Sequence, residues 1–231
     1  MTLTRRRFLE GLGLIALAPA CAPARRGGAP PPREGVTFAP APPEGVLLND
    51  VHSRLNETRV SRVVEVSSLD GLHGAVTRAR DEGLAISIAG GGHSMGGQQY
   101  GAGAVHLDTR RMNRVLGFDR RDGFLKVEAG IQCPELVAWT VREQEGASEA
   151  WGIAQKQSGA DRLTVGGALS CNAHGRGLAM RPIVDDVDSF TLIDGNGGFR
   201  TCSRAENQEL FRLAIGGYGL FGVIYSVRLR L

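Results

Sequence analysis

The sequence predicts an α+β fold, and three observations carry that prediction. A strand-helix-strand run from Val63 to Ala89 ends in AGGGHSMGG, Ala89 to Gly97, a loop holding five glycines. A second cluster, TVGGALSCNAHGRG, spans Thr164 to Gly177. A third, Gly217 to Gly222, runs into a stretch where Val223, Tyr225, Val227, Leu229 and Leu231 alternate with Ser226, Arg228 and Arg230, the pattern of a half-buried strand. Of the 231 residues 33 are glycine, and their clustering without a period points to backbone approach to a ligand instead of a fibrous repeat. With 42% hydrophobic and 22% charged residues, the chain can build a core.

The elements follow in order. Folding begins between Leu47 and Arg62, and Val63 to Val66 reads as a buried strand. Ser67 or Ser68 then caps a helix with Leu69, Leu72, Val76 and Ala79 on one face, which Gly83 ends. Leu84 to Ala89 is the strand that delivers the first glycine loop, completing a small α/β unit. Ala104 to Leu107 and Leu125 to Glu128 are short strands, and Pro134 opens a helix reaching about Gly146. Beyond the second cluster come a strand at Val187 to Ile193, a Gly-Asn-Gly-Gly turn and a return strand at Phe199 to Cys202. Ser203 and Glu206 have the spacing of a capping box for a helix reaching about Ile215.

Glycines lacking a Cβ let consecutive amides turn inward on an anion such as a pyrophosphate. The first loop is not the Gly-Lys-Ser/Thr phosphate loop, and Met95 stands where a dinucleotide fingerprint needs its third glycine. Gly217, Gly219 and Gly222 do satisfy G-x-G-x-x-G, but a strand follows where that fingerprint requires a helix, so a nicotinamide-dependent reading has only the spacing behind it. In the second cluster small side chains allow close approach to a planar ligand, while Ser170, Asn172 and His174 offer polar atoms to its edge. Cys133, Cys171 and Cys202 match no zinc spacing, so no metal is expected, and Asp108, Asp185, Asp186 and Asp188 read as turn and strand-end carboxylates.

Taken together and in this order, the three glycine motifs resemble the FAD-binding domain of the vanillyl-alcohol oxidase and p-cresol methylhydroxylase (PCMH) flavoproteins, from about Arg62 to Leu231. The resemblance implies a PCMH-type FAD-binding fold of two α/β subdomains, 47–123 and 124–231, with FAD between them. It implies that Ala89, Gly90, Gly91, Gly92, His93, Ser94 and Gly97 hold the pyrophosphate side, with His93 the candidate for a covalent bond to the flavin. Thr164, Gly166, Gly167, Ser170, Asn172, His174, Gly175, Gly222 and Ile224 complete the expected cofactor contacts. The berberine-bridge branch adds a cysteinyl bond just before the second cluster; here Ala160, Asp161 and Arg162 occupy that region, which implies attachment at His93 alone.

The implied function is an FAD-dependent oxidoreductase accepting a hydride from an alcohol, sugar, lactone or hydroxy-acid carbon. Its electron acceptor would be oxygen, a redox protein or a quinone. In the family a second domain supplies most substrate-facing groups; it is absent from these residues, so no catalytic residue is assigned. The alternative is a noncatalytic flavin-binding or electron-carrying module.

The first 21 residues read as a twin-arginine export signal: Arg5, Arg6 and Arg7 precede an apolar run from Gly11 to Ala20 that is too short to span a bilayer. Cleavage after Ala18-Pro19-Ala20 gives a periplasmic or extracellular protein; Cys21 offers a lipid anchor instead, though Ala18 and not leucine stands three positions before it. Residues 22–46 hold seven of the ten prolines and read as a tether. Losing three arginines and one glutamate with the signal takes the formal charge from +3 to +1, too little basic excess to suggest nucleic acid.

Overall fold

In the computed structural model the described residues are 44–156, 159–177 and 179–231, all within one compact unit, Thr37–Leu231. The expected signal peptide and nearly all of the tether lie outside them. Two short strands come first, β1 (Val46–Leu48) and β2 (Thr58–Val60), paired antiparallel. A parallel sheet follows, in the order β3-β5-β4, built from β3 (Arg62–Glu65), β4 (Ile86–Ala89) and β5 (Val105–Asp108). Helix α1 (Leu69–Asp81) makes the β3-to-β4 crossover.

Local chemistry explains α1. Of the two candidate caps it is Ser68 that serves, its hydroxyl accepting the Gly71 amide at 3.1 Å. Asp70 in the first turn and Arg78 and Arg80 in the last suit the helix dipole. Leu72, Val76 and Ala79 are buried against Val66, Val105, Leu107 and Met112. Leu69 is only partly covered, and Gly83 at φ +67° turns the chain toward β4.

The larger sheet is antiparallel, ordered β6-β7-β10-β8-β9: β6 (Val115–Asp119), β7 (Phe124–Glu128), β8 (Val187–Ile193), β9 (Phe199–Ser203) and β10 (Val223–Arg230). Its core gathers Leu125, Val127, Leu136, Leu169, Phe190, Phe211 and Val227, with the Phe190 and Phe211 rings stacked 5.4 Å apart. Helices α2 (Cys133–Glu143), α3 (Val165–Ser170) and α4 (Gln208–Ala214) belong to this half, Pro134 lying in the first turn of α2. Ile193 and Val223 cross over to pack in the α1 core, so the two sheets share buried surface. No described helix is long and apolar enough to cross a membrane.

Four expectations need correction. Strand order places β6 in the larger sheet, so a boundary at 123/124 cuts the β6–β7 hairpin that Gly123, at φ +67°, turns. The Ser203 hydroxyl accepts the amides of Ala205 and Glu206 at 3.1 and 2.9 Å, closing a tight turn in place of a capping box; α4 starts only after Asn207, at φ +47°. In β10 simple alternation fails, since Ser226 is buried and Tyr225 partly exposed. A register shift between Ile224 and Ser226 re-aims side chains in this central strand, which is covered on both faces. The second glycine cluster, finally, opens with a short helix over Val165–Ser170, a stretch to which the sequence reading assigns no element.

Two buried polar residues, Glu128 and His106, have side-chain partners. Glu128 is fully buried and takes the Arg114 guanidinium at 2.7 Å, tying the start of β6 to the end of β7. His106, in β5, sits 2.9 Å from the Ser87 hydroxyl and beside the Tyr100 ring, and burial pushes its pKa down to about 4. The unfolded imidazole takes its proton near 6.5, so between the two values the unfolded chain binds more protons. The stabilisation is therefore complete above about pH 6.5 and is lost as pH falls toward 4, by roughly 3 kcal/mol. Unfolding free energies from urea titrations at about pH 7 and about pH 4 should differ by that amount, and His106→Asn should flatten the difference.

Candidate functional site

Strand β4 ends at Ala89, and the glycine loop that leaves it is held by a clasp, residues 49–56. The Val51 amide donates to the Gly92 carbonyl at 3.0 Å, the Ser53 hydroxyl to the Met95 carbonyl at 2.5 Å, and the Asn56 side-chain amide to the Gly96 carbonyl at 2.9 Å. Tyr100 closes the ring of contacts through its hydroxyl on the Asn49 carbonyl at 3.0 Å. The clasp is organised by Asp50. Burial pushes this carboxyl up, but bonds from the Ser53 hydroxyl and the amides of Ser53, His52 and Arg54 outweigh that and hold it at about 2.

With its carbonyls engaged, the loop keeps its donors free. The amides of Gly90, Gly91, Gly92, His93 and Ser94 make no backbone hydrogen bond to any described residue. All five residues line a cavity of about 280 Å³ bounded by the ends of β4, β5 and β7, by α3 and by the turn before β10. Unpaired backbone donors on a cavity wall call for an acceptor in the cavity.

Opposite stands α3. Its first amides are spent within the protein: Val165 donates to the Ile131 carbonyl, Gly166 to the Ala129 carbonyl and Gly167 to the Thr164 hydroxyl, at 3.0, 2.7 and 3.1 Å. This wall therefore gives proximity and not backbone donors. A Cβ on Gly90 would lie 2.0 Å from Thr164 Oγ1, and one on Gly166 would lie 2.9 Å from Ala129 Cβ. Glycine is what lets the walls meet.

Of the residues singled out from sequence, Ala89, Gly90, Gly91, Gly92, His93, Ser94, Thr164, Gly166, Gly167, Ser170, Gly222 and Ile224 line this one cavity. Four do not. Gly97 turns the loop at φ +70° against Asn56; the Asn172 amide closes α3 on the Leu169 carbonyl. His174 pairs through Nδ1 with the neighbouring Gly175 carbonyl at 2.9 Å, and Gly175 packs on the Lys156 carbonyl. Sequence reasoning missed Gln98, Gln99, Thr109, Ala129, Cys171 and Tyr218, which also line the cavity. Both polar side-chain atoms of Gln99 are buried with no protein partner, an orphaned amide that a ligand in the cavity would satisfy. Its place two residues after the last loop glycine is the signal available in the sequence.

His93 has company of its own. Its Nδ1 lies 2.7 Å from His52 Nε2, their rings 4.9 Å apart. Burial, then the charge of His52, pushes His93 down, against a weaker opposing bond to the Arg162 carbonyl, so the ring is neutral near pH 7. The thiols of Cys133, Cys171 and Cys202 are free.

Comparison with known proteins matches this chain to a family and a fold. The model of the family described as FAD binding domain matches residues 60–203. An uncharacterized oxidoreductase of the fasciation locus of Rhodococcoides fascians is 38% identical over 160 residues, covering 67% of this chain and 33% of that protein. The mitochondrial L-galactono-1,4-lactone dehydrogenase 1 of Oryza sativa subsp. japonica is 31% identical over 204 residues, 86% of this chain and 33% of the relative. Among solved structures, alkyldihydroxyacetonephosphate synthase has the same fold, with a TM-score of 0.64 at 22% identity over 73% of this chain and 31% of that one. The chain thus spans about a third of the length of the curated relatives it matches.

Proposed function

The chain belongs to the FAD binding domain family, and from that premise we propose that it is the flavin-binding part of an oxidoreductase that takes a hydride from a sugar-lactone or related CH–OH carbon. One observation carries the reading: the residues of five unpartnered amides, Gly90 to Ser94, line the same cavity as Gln99, whose side-chain amide is orphaned. These are the groups an FAD pyrophosphate and its flanking polar edge require. The lactone class is supported by the rice relative, whose name is that of a lactone dehydrogenase.

Each part of the chain has a stated task. The clasp fixes the loop so that its amides hold the dianionic pyrophosphate without a cationic side chain, and α3 brings Ser170 within reach of the cavity. Neutral His93 presents a ring nitrogen for a covalent bond to the flavin, with His52 setting the ring's orientation through Nδ1. When bound, the flavin supplies the hydride-accepting ring, while the protein supplies position and exclusion of water. Export by the twin-arginine route, which carries folded proteins, fits a chain that must load its cofactor first; the support is the Arg5-Arg6-Arg7 signal.

The test is optical. Purified protein given FAD should show a flavin spectrum, and anaerobic addition of a sugar lactone should bleach it, with colour returning in air or on adding a quinone. Bound flavin that no lactone, alcohol or hydroxy acid bleaches assigns the chain to cofactor carriage alone.

A further inference from the structure

The turn from Gly216 to Gly222 contains a residue in an unfavourable place. Gly216, Gly219 and Gly222 all have positive φ, at 75°, 81° and 138°, as glycine allows. Between them Tyr218 also takes positive φ, 51°. Only Arg54, Asn172 and Asn207 share that property among the described non-glycine residues, and asparagine tolerates it far better than a bulky aromatic. Packing does not account for the tyrosine, since it is 56% exposed and its ring meets no described aromatic side chain.

Its surroundings do account for it. The Tyr218 amide donates to the Ser170 carbonyl at 2.9 Å and the Gly216 amide to the Leu169 carbonyl at 3.0 Å, tying the turn to the end of α3. A Cβ on Gly219 would lie 3.0 Å from Ile88, so the same turn rests on the end of β4. Tyr218 is thereby fixed at the seam of both walls and lines the cavity. Seven of the residues that line it are glycine, whose bare backbone cannot cover a flat ring with apolar surface. A phenol ring can.

We propose that Tyr218 is a stacking residue: its ring lies against one of the two planar ring systems of FAD, and the left-handed backbone is retained because it aims the ring there. The proposal rests on FAD as the ligand of this cavity. Apoprotein carrying His93→Ala, which keeps binding reversible, is prepared from riboflavin-starved cells and titrated with FAD, with FMN as the flavin half and with ADP as the adenine half, every Tyr218 variant being compared in that background. In Tyr218→Leu and Tyr218→Gly the Kd for FAD rises about tenfold or more, while Tyr218→Phe stays within about threefold of wild type. If the stacked ring is the flavin, FMN loses the same factor and bound-flavin fluorescence increases; if it is adenine, ADP loses it and fluorescence holds. The melting temperature of ligand-free Tyr218→Gly holds or rises by about 2–4 °C, because the strained position is relieved.

Unchanged FAD affinity in the leucine and glycine variants overturns the stacking role. So does weaker binding accompanied by a fall in the ligand-free melting temperature of Tyr218→Gly, which assigns the ring to packing. A wild-type apoprotein that takes up no FAD overturns the flavin reading itself, a result separable from either.

Discussion

Acid precipitation leaves the flavin in the pellet for the wild-type protein and in the supernatant for His93→Ala. The expectation follows from where His93 stands: on the cavity, next to five open amides, and neutral near pH 7 because burial and His52 both oppose its charge. A neutral imidazole keeps one nitrogen free of a proton, the state needed to bond to carbon; the new bond would replace a C–H bond of the flavin, with the proton lost to solvent and the electron pair held by the flavin ring until oxygen takes it up. His52 Nε2, 2.7 Å from Nδ1, restrains the ring, so the reacting nitrogen is presented in one orientation instead of a rotating pair. Since His93 is pushed below its ordinary value of 6.5, protonation should begin to slow attachment only at a pH lower than for an ordinary imidazole. His93→Ala keeps the amides and Gln99, so it still binds FAD and still shows the visible bands. Flavin that stays with the pellet of the alanine variant moves the bond to another residue; flavin in the supernatant of both proteins means no bond forms.

How much of this was legible in the sequence depended on whether the signal was local. The α1 face, the Ser68 cap and the glycine loop after β4 all follow from spacing and residue type within one short segment, and each stands where the sequence put it. Twelve of the sixteen expected cofactor residues share one cavity for the same reason. The clasp was invisible because its partners are about 40 positions apart: nothing in N-D-V-H-S announces that Val51, Ser53 and Asn56 will take up the carbonyls of the loop. His52 beside His93 is the same case. Asn172 and His174 misled in the other direction, since polar side chains after a glycine cluster are equally suited to ending a helix, which is what the Asn172 amide does. The bulge in β10 depends on what pairs with it from β8, a tertiary fact that alternation along one strand does not contain.

Gly90→Ala should cost the protein both its cofactor and about 4 kcal/mol of stability. The added Cβ would fall 2.0 Å from Thr164 Oγ1 and within 2.8 Å of its Cγ2 and Cβ, closer than van der Waals contact allows. Thr164 is buried and its hydroxyl caps α3 by accepting the Gly167 amide, so a move that relieves the clash gives up the cap and pushes the side chain into the ligand cavity. Overpacking of this kind costs up to about 3 kcal/mol, and loss of the cap adds about 1 kcal/mol. The same displacement forces apart the two walls whose separation fits a ligand, so FAD affinity falls by at least about 100-fold. Gly74 is the control, because a Cβ there, inside α1, meets nothing within 4 Å. Gly74→Ala should raise stability by about 0.5–1 kcal/mol and leave the flavin in place. Adding Thr164→Gly to Gly90→Ala removes the atoms that clash and sacrifices only the cap. The double variant should therefore be more stable than Gly90→Ala alone and regain flavin, a coupling that urea denaturation and the visible spectrum report independently. Were the two substitutions simply additive, Gly90 would matter for some reason other than the approach of the two glycine-lined walls.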